Sequence, residues 1–449
     1  MGKYFGTDGI RGIAGSELDP LLALRTGQAV GIALSKGKAK RPVITIGKDT
    51  RVSSDMLESA LVAGICSAGA DVRLLGVVPT PAVAFLTLQF KADAGIVISA
   101  SHNPFEYNGI KIFSAEGFKL SDDLEAEIEV LIDEPGPLPM KTHNEIGKVY
   151  HVDAEALSVY VDYLYTRAES EIKGLKVAID CANGAASSTA SNLFSRFNID
   201  CEIINERPNG VNINAGCGST HMDGLCSVVK AGGFDLGLAF DGDADRCLAV
   251  DEKGNIIDGD KVMGICGKYM KKAGRLAGNA IVATVMSNLG FHEFARKCGI
   301  DLRCAAVGDR NVLELMQAGG YNLGGEQSGH LIFLDDATTG DGQLAAVKFL
   351  SILSSSGLTA SQLASEIPQY PQVLHNLPIE GGNAVKSAIM SAPELAARIV
   401  GEQEKLGGEG RILVRPSGTE ALIRVMVEAR SVEIAEETAA KLINLIKTL

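Results

Sequence analysis

One local pattern occurs three times at wide separation, and it restricts the fold more than any other feature. In each copy a short apolar segment leads into a polar or glycine-containing turn and then into a stretch rich in small residues. This order is typical of a strand–turn–helix unit whose turn lies at the carboxyl end of the strand. It predicts three α/β domains of one architecture, although a single α/β protein also contains several such segments. The three strands are predicted at Val43–Ile46, Val177–Ile179 and Ile281–Val285.

Proline clusters indicate where the domains end. Three prolines fall within 133–141, directly after a predicted helix over 121–132, and three more fall within 368–378. The segment after the second cluster is shorter than the preceding domains. It contains a predicted strand over 422–427 and a final helix from Val432, which indicates an α+β unit. The predicted domains are 1–152, 153–254, 255–368 and 369–449.

Three carboxylates follow a predicted strand, Leu236–Phe240. Asp241, Asp243 and Asp245 alternate with small residues, so on an extended backbone they would point to one side. Three negative charges this close require a cation among them, and Mg²⁺ prefers carboxylate and phosphate oxygens. Arg246 is placed to hold a phosphate. The run therefore predicts a metal site that handles phosphate.

The acidic run has three alternative interpretations. An EF-hand loop begins in the same way, but it requires glycine where Arg246 stands and helices on both sides. A haloacid-dehalogenase-type phosphatase would use Asp241 as its nucleophile. A solvated acidic turn is the third alternative.

A second predicted strand, Ile96–Ile98, feeds the hydroxyl-rich loop Ser99–Pro104 and then the polar run Asn108–Lys111. A serine hydroxyl at a strand end, with histidine and lysine nearby, can accept and donate a phosphoryl group. A phosphoserine would also offer oxygens to a metal. A simple serine-rich turn is the alternative.

Three further loops carry polar groups suited to sugar or phosphate. The first loop, Gly324–His330, combines glycines with side chains that can bind sugar hydroxyls. His330 taken alone is more typical of a hydrogen-bonded structural histidine. The second loop, Arg415–Glu420, could bind an anion together with Arg424. The alternative is an ordinary hairpin loop. Gly6–Gly12 is a glycine-rich loop from which Arg11 could reach a phosphate.

Charge and cysteine content exclude several classes. Lysine plus arginine total 42 against 55 aspartate plus glutamate, a formal net charge of -13, which disfavours nucleic acid and anionic membranes as partners. The nine cysteines form no CxxC pair, which argues against a zinc site or disulfide framework. No apolar run has the length of a membrane span, and no signal peptide is evident, so we expect a cytoplasmic protein.

Taken together and in this order, the five motifs resemble the α-D-phosphohexomutase superfamily. SASHNP is similar to its phosphoserine loop, DGDADR to its metal loop, GGEQSGH to its sugar loop and RPSGTE to its phosphate loop. The resemblance implies three similar mixed-sheet α/β domains plus a smaller C-terminal α+β domain around a central cleft. Gln327 and Asp309 favour the glucosamine branch, whereas Ala421 departs from the family's usual proline.

The resemblance also implies roles. Phosphorylated Ser101 would complete a Mg²⁺ site with the three aspartates, Arg11 and Arg246 would stabilise the phosphoryl group, and Lys111 and His330 would transfer protons in an undecided order. The implied sugar ligands are Glu326 and Ser328, and the implied phosphate ligands are Arg415, Ser417, Gly418, Thr419 and Arg424.

The implied activity is that of an isomerase-class phosphotransferase that interconverts glucosamine 6-phosphate and glucosamine 1-phosphate through a bisphosphorylated sugar. The substrate is then a phosphorylated hexosamine, and a homodimer is left open. Mannose or glucose phosphates are alternative substrates. A metallophosphatase and a catalytically silent sugar-phosphate sensor are the alternative classes.

Overall fold

The chain divides into two compact units. The first consists of residues 1–286 and 300–365, and the second of residues 287–299 and 366–449. Among the helices described, none combines the length and the apolar character that a membrane crossing would need. The structure is a computed structural model that describes residues 2–6, 8–37, 40–380, 382–417 and 421–449.

Strands and helices alternate through most of the described residues. The strands are β1 (Phe5–Gly6), β2 (Gly9–Ile13), β3 (Val43–Lys48), β4 (Asp71–Val77), β5 (Ala94–Ile98), β6 (Tyr107–Ser114), β7 (Val149–His151), β8 (Lys173–Asp180), β9 (Asn198–Ile204), β10 (Leu236–Phe240), β11 (Cys247–Asp251), β12 (Ile256–Ile257), β13 (Ala280–Thr284), β14 (Asp301–Ala305), β15 (Leu323–Gly325), β16 (Leu331–Phe333), β17 (Gln372–Pro378), β18 (Arg411–Pro416) and β19 (Leu422–Glu428). The helices are α1 (Pro20–Ser35), α2 (Ser54–Ser67), α3 (Thr80–Gln89), α4 (Asp122–Asp133), α5 (Asp153–Tyr165), α6 (Ala190–Phe194), α7 (Asp223–Gly232), α8 (Gly259–Lys272), α9 (Leu289–Lys297), α10 (Asp309–Gly319), α11 (Gly342–Ser356), α12 (Ala360–Ser365), α13 (Gly382–Met390), α14 (Pro393–Leu406) and α15 (Val432–Ile446).

The first unit contains three mixed sheets that share one arrangement of four strands. The orders are β6-β5-β3-β4, β11-β10-β8-β9 and β16-β15-β13-β14 within the larger sheets. In each set three strands are parallel, and the strand named first pairs antiparallel with its neighbour. The prediction of three α/β domains of one architecture is therefore confirmed. The predicted turn at Gly47 is wrong, because Gly47 and Lys48 continue β3.

The second unit is an α+β fold, as predicted. Its antiparallel sheet has the order β17-β19-β18, and α15 packs its buried face against it. Helix α9 belongs to this unit although its neighbours in sequence belong to the first. The buried carboxylate of Glu428 anchors it, because it accepts a hydrogen bond from the Leu289 N–H (3.0 Å) and pairs with Arg411 (3.1 Å).

Glycines allow α1 and α2 to pack with their backbones almost in contact. A Cβ on Gly64 would collide with the carbonyl oxygen of Leu24, and one on Gly27 would collide with that of Leu61. Helices with larger residues at these positions would have to move apart and open voids in the first sheet's core.

We expect Gly64→Ala to lower the thermal unfolding midpoint, because the new methyl group would cost about 1–3 kcal/mol of overpacking. The control is Gly224→Ala in α7, where an added Cβ meets nothing within 4 Å. That variant should be neutral or up to about 1 kcal/mol more stable, because alanine favours helices. Equal midpoints for the two variants, measured by circular dichroism, would contradict this account of the helix pair.

Candidate functional site

Three loops of the first unit occupy equivalent positions in the three sheets. They connect β5 to β6, β10 to β11 and β15 to β16. The second and third are joined through their backbones, since Arg246 and His330 form an antiparallel bridge and the Cys247 N–H donates to the Gly329 carbonyl (3.0 Å). The Thr80 N–H donates to the Asp243 carbonyl (2.9 Å) and links the first domain to the second loop.

The aspartates converge by a route other than the predicted one. Strand β10 ends at Phe240, and the acidic run is a tight turn, not extended backbone. The Ala244 N–H donates to the Asp241 carbonyl (3.0 Å), and Ala244 has a φ of 56°. This left-handed residue reverses the chain, so that one oxygen from each of Asp241, Asp243 and Asp245 lies within 4.8 Å of the others. The alternating-strand argument was therefore wrong, although the side chains do meet.

This trio fits a hard metal ion. All three aspartates are buried, and the Oδ1 atoms of Asp243 and Asp245 have no hydrogen-bond partner among the described residues. Asp245 Oδ1 has only a longer ion-pair contact, 3.8 Å to Arg246 Nε. Burying carboxylate oxygens without hydrogen bonds is costly, so these atoms are placed for a ligand. Oxygen donors of this kind suit a divalent cation.

Ser101 lies against the trio. Its Oγ donates to Asp241 Oδ2 at 2.6 Å, and the residue is 2% exposed. Ser101 has a φ of 52°, a left-handed conformation that is strained for a residue with a Cβ. Burial, followed by the charges of Asp245 and Asp243, raises the pKa of Asp241 well above its usual range. The Ser101 hydroxyl is therefore hydrogen-bonded to the carboxyl group of Asp241, whose ionised form is disfavoured by burial and by the two neighbouring aspartates.

Lys111, on β6, provides the nearest positive charge. Its Nζ lies 2.9 Å from Asp243 Oδ2, 3.1 Å from Asp8 Oδ2 and 3.8 Å from Asp245 Oδ2. Burial opposes the charge on this lysine, but Asp243 and Asp8 outweigh it and raise the pKa of Lys111. Reciprocally, Lys111 overcomes burial and lowers the pKa of Asp243. The ammonium group therefore neutralises part of the acidic cluster.

Two predicted arginines lie in different settings. The backbone N–H of Arg246 donates to Asp241 Oδ1 (3.2 Å), and the buried Nε of its guanidinium has no hydrogen-bond partner among the described residues. Arg11 lies on β2, so the predicted glycine-rich loop is wrong at this residue, and its guanidinium pairs with Asp8. Arg246 thus keeps a donor for a ligand.

His330 lies between two carboxylates. Its Nδ1 is 3.5 Å from Asp245 Oδ2, and its Nε2 is 3.9 Å from Asp309 Oδ2. Burial disfavours the charged imidazole, but the carboxylates raise the pKa of His330 to about 9. In the neutral ring, Nε2 accepts from the Gly340 N–H (3.2 Å), so the proton is on Nδ1, which faces Asp245. A Cβ on Gly340 would collide with this ring.

The sequence argument missed several residues of this cluster. Lys119 bridges Asp8 (2.8 Å) and Asp309 (2.7 Å), and Thr80 Oγ1 donates to Asp243 Oδ2 (2.7 Å). Asp8 stood inside the quoted N-terminal motif without a role, and Asp309 served only to choose a family branch. Lys119 and Thr80 carry no local signal, because only the tertiary fold brings them to the trio.

The remaining predicted ligands lie in two places. In the first unit, Glu326 Oε1 accepts from the Gly308 N–H (3.1 Å), and the buried Ser328 Oγ has no partner among the described residues. In the second unit, Arg415 and Arg424 stand opposite each other on β18 and β19. Burial, followed by Arg424, lowers the pKa of Arg415, and Ser417 is buried nearby. Gly418 and Thr419 lie outside the described residues.

Four family models match the chain. They are the phosphoglucomutase/phosphomannomutase alpha/beta/alpha domains I, II and III and the C-terminal domain of that family. The unmatched stretches between them lie at or near the domain boundaries predicted after 152, 254 and 368, which remain predictions. The matched residues are 2–137, 158–254, 258–370 and 378–445.

Curated relatives match over the full length. The chain is 51% identical to a phosphoglucosamine mutase of Bacillus velezensis and 50% identical to one of Bacillus subtilis, over 100% of this chain and 99% of each relative. A phosphoglucomutase/phosphomannomutase family protein of Burkholderia thailandensis has a similar structure, with a TM-score of 0.80 at 23% identity, covering 98% and 97% of the two chains. An Aspergillus fumigatus N-acetylphosphoglucosamine mutase, solved with GlcNAc-6P and magnesium, has a TM-score of 0.70 at 18% identity, covering 99% of this chain and 95% of that one.

We expect a divalent cation to raise the thermal unfolding midpoint, because an ion that binds only the folded state stabilises it by mass action, by about 2.7 kcal/mol at 100 times its Kd. Magnesium and manganese chlorides are the probes. Asp243→Asn should lose most of this shift, since it removes one of three anionic ligands. Asp251→Asn, a buried carboxylate outside the trio, is the control and should keep it. Equal shifts in both variants would place the cation elsewhere.

Proposed function

The chain belongs to the phosphoglucomutase/phosphomannomutase family, and from that premise we propose that it interconverts glucosamine 6-phosphate and glucosamine 1-phosphate through a phosphorylated Ser101. It is a phosphohexomutase, an isomerase-class phosphotransferase. The observation that carries the proposed chemistry is the buried contact of 2.6 Å between Ser101 Oγ and Asp241, within a carboxylate trio suited to a metal. The sugar is proposed from the full-length identity of about 50% to enzymes named phosphoglucosamine mutase.

Each half-reaction moves one phosphoryl group. The bond between phosphorus and Ser101 Oγ breaks as a bond between phosphorus and a sugar hydroxyl oxygen forms, and one proton moves from that hydroxyl to the serine oxygen. The bisphosphorylated sugar then returns its other phosphoryl group to Ser101. Lys111 and His330 flank the trio and are the proposed groups for moving the proton, in an order left open.

Charge neutralisation is the main catalytic demand, because phosphoryl transfer depends on positioning and electrostatics. We propose that Asp241, Asp243 and Asp245 hold Mg²⁺ with an oxygen of phosphorylated Ser101. When bound, the ion would offset the negative charge of the phosphoryl oxygens. The Nε of Arg246, which has no hydrogen bond among the described residues and lies 3.8 Å from Asp245 Oδ1, supports a role on the same oxygens, and Arg11 would support it from β2.

Substrate recognition is proposed for two sets of residues. In the first unit, the hydroxyl of Ser328, which has no hydrogen-bond partner among the described residues, and the carboxylate of Glu326 would bind sugar hydroxyls. In the second unit, Arg415 and Arg424 are like-charged cross-strand neighbours, so a phosphate bound to them would offset their mutual repulsion. The proposed remaining phosphate ligands are Ser417, Gly418 and Thr419.

We expect Ser101→Ala to lower turnover of glucosamine 6-phosphate by at least about 10³-fold, because the phosphoryl acceptor is lost. Binding of the sugar phosphate, measured by calorimetry, should remain within a few-fold. Ser59→Ala, an exposed helical serine, is the control and should keep full activity.

The assay should compare glucosamine, glucose and mannose 6-phosphates on one preparation, with phosphopeptide mapping of Ser101. Full activity of Ser101→Ala would exclude the phosphoserine route. Stoichiometric release of inorganic phosphate would identify a metallophosphatase, and preferred turnover of mannose or glucose phosphate would reject the amino sugar.

A further inference from the structure

A buried arginine outside the motifs discussed above binds the backbone of the serine loop, residues 99–106, which joins β5 to β6. Arg51 lies in the turn after β3, and its side chain has no exposed surface. A guanidinium carries five N–H donors in a rigid plane, and here all five are used. They donate to Asp49 Oδ2 (2.8 Å) and to the carbonyls of Ser101 (2.9 Å), Asn103 (2.8 Å), Pro104 and Tyr107 (3.0 Å).

Asp49 extends this arrangement to the N–H group of Ser101. Its Oδ2 accepts from the Ser99 hydroxyl (2.6 Å), and the Ser99 Oγ in turn accepts from the Ser101 N–H (3.0 Å). From the second domain, Asn214 Nδ2 donates to the Ser101 carbonyl (2.9 Å). Both main-chain polar groups of Ser101 are therefore fixed by buried side chains.

These bonds explain how Ser101 keeps its left-handed backbone. A non-glycine residue in that region costs about 1–3 kcal/mol and persists only when its surroundings determine it. Arg51 does not act as a phosphate ligand, because its charge is matched by Asp49 and its donors are all occupied. Its contacts with Ser101 are made through the backbone alone.

We infer that Asp49, Arg51 and Asn214 are positioning residues for phosphoryl transfer, and that together they hold the Ser101 backbone so that Oγ faces the aspartate trio. This inference rests on the proposed function, since it concerns the nucleophile of that reaction. A misplacement of about 1 Å at a reacting group can cost about 10²-fold in rate. The effect should appear in kcat, because all three side chains are buried and act on the Ser101 backbone, directly or through Ser99.

The test compares Arg51→Lys, Asn214→Ala and the control Arg41→Lys. Lysine keeps the charge beside Asp49 but cannot reach four carbonyls. Arg41 also pairs with a carboxylate (Asp71, 3.0 Å) and a carbonyl (Asn144, 2.7 Å) in the first domain, but it has no contact with the serine loop.

We expect kcat to fall about 100-fold in Arg51→Lys and about 10-fold in Asn214→Ala, with KM within about twofold and with Arg41→Lys unchanged. Assays run well below each unfolding midpoint separate this from a loss of folded protein. If Arg51→Lys fails to fold, Asn214→Ala decides the outcome. Folded variants with unchanged kcat, or a raised KM alone, would overturn the inference.

Failure of the proposed function gives a different result. If wild-type protein turns over no hexose or hexosamine phosphate, the function fails. The inference is then judged from crystal structures of the two variants. A Ser101 that leaves its left-handed conformation supports the inference, and one that stays in place overturns it.

Discussion

The site depends on how a buried cluster of like charges is balanced. Asp241, Asp243 and Asp245 meet in the interior of the first unit, where carboxylates repel one another strongly. Lys111 and Arg246 offset part of this charge, and the Oδ1 atoms of Asp243 and Asp245 have no hydrogen bond among the described residues. The remaining excess of negative charge suits the cluster to a cation and a phosphoryl group.

Repetition of one sheet arrangement explains how remote segments arrive at this cluster. Each of the three loops joins the third parallel strand of its copy to the antiparallel neighbour of that strand. They are the serine loop (99–106), the acidic loop (241–246) and the loop at 326–330. The loop of the second copy contacts the loops of the other two, so three different loops meet at one place. The proposed roles are divided among the copies: the first carries the proposed phosphoryl acceptor Ser101, the second carries the three aspartates, and the third carries the proposed sugar ligands.

Much of the site was predictable because its residues lie in short loops directly after apolar strands. The predictions of three repeated domains and of a C-terminal α+β unit are confirmed. The acidic run was predicted to be extended, but it forms a turn. The turn depends on the positive φ of Ala244, which the sequence does not indicate because alanine rarely adopts that conformation. Arg51 follows β3 just as the serine loop follows its parallel neighbour β5, so the rule that strand ends share an edge could have placed them together. Its five hydrogen bonds could not be predicted, since they depend on long-range packing.

Main-chain pairing between the acidic loop and the sugar loop has a consequence for how such a molecule diverges. The bridge of Arg246 with His330 and the bond from Cys247 to Gly329 are made by peptide groups, and only position 329 is restricted to glycine, because a Cβ there would collide with the Cys247 carbonyl oxygen. Residues at 326–328 are thus free to be exchanged without shifting the acids alongside. If the side chains at 326–328 bind the sugar, as proposed, replacing them would change which hexose phosphate is accepted and would leave the backbone pairing beside the aspartates in place.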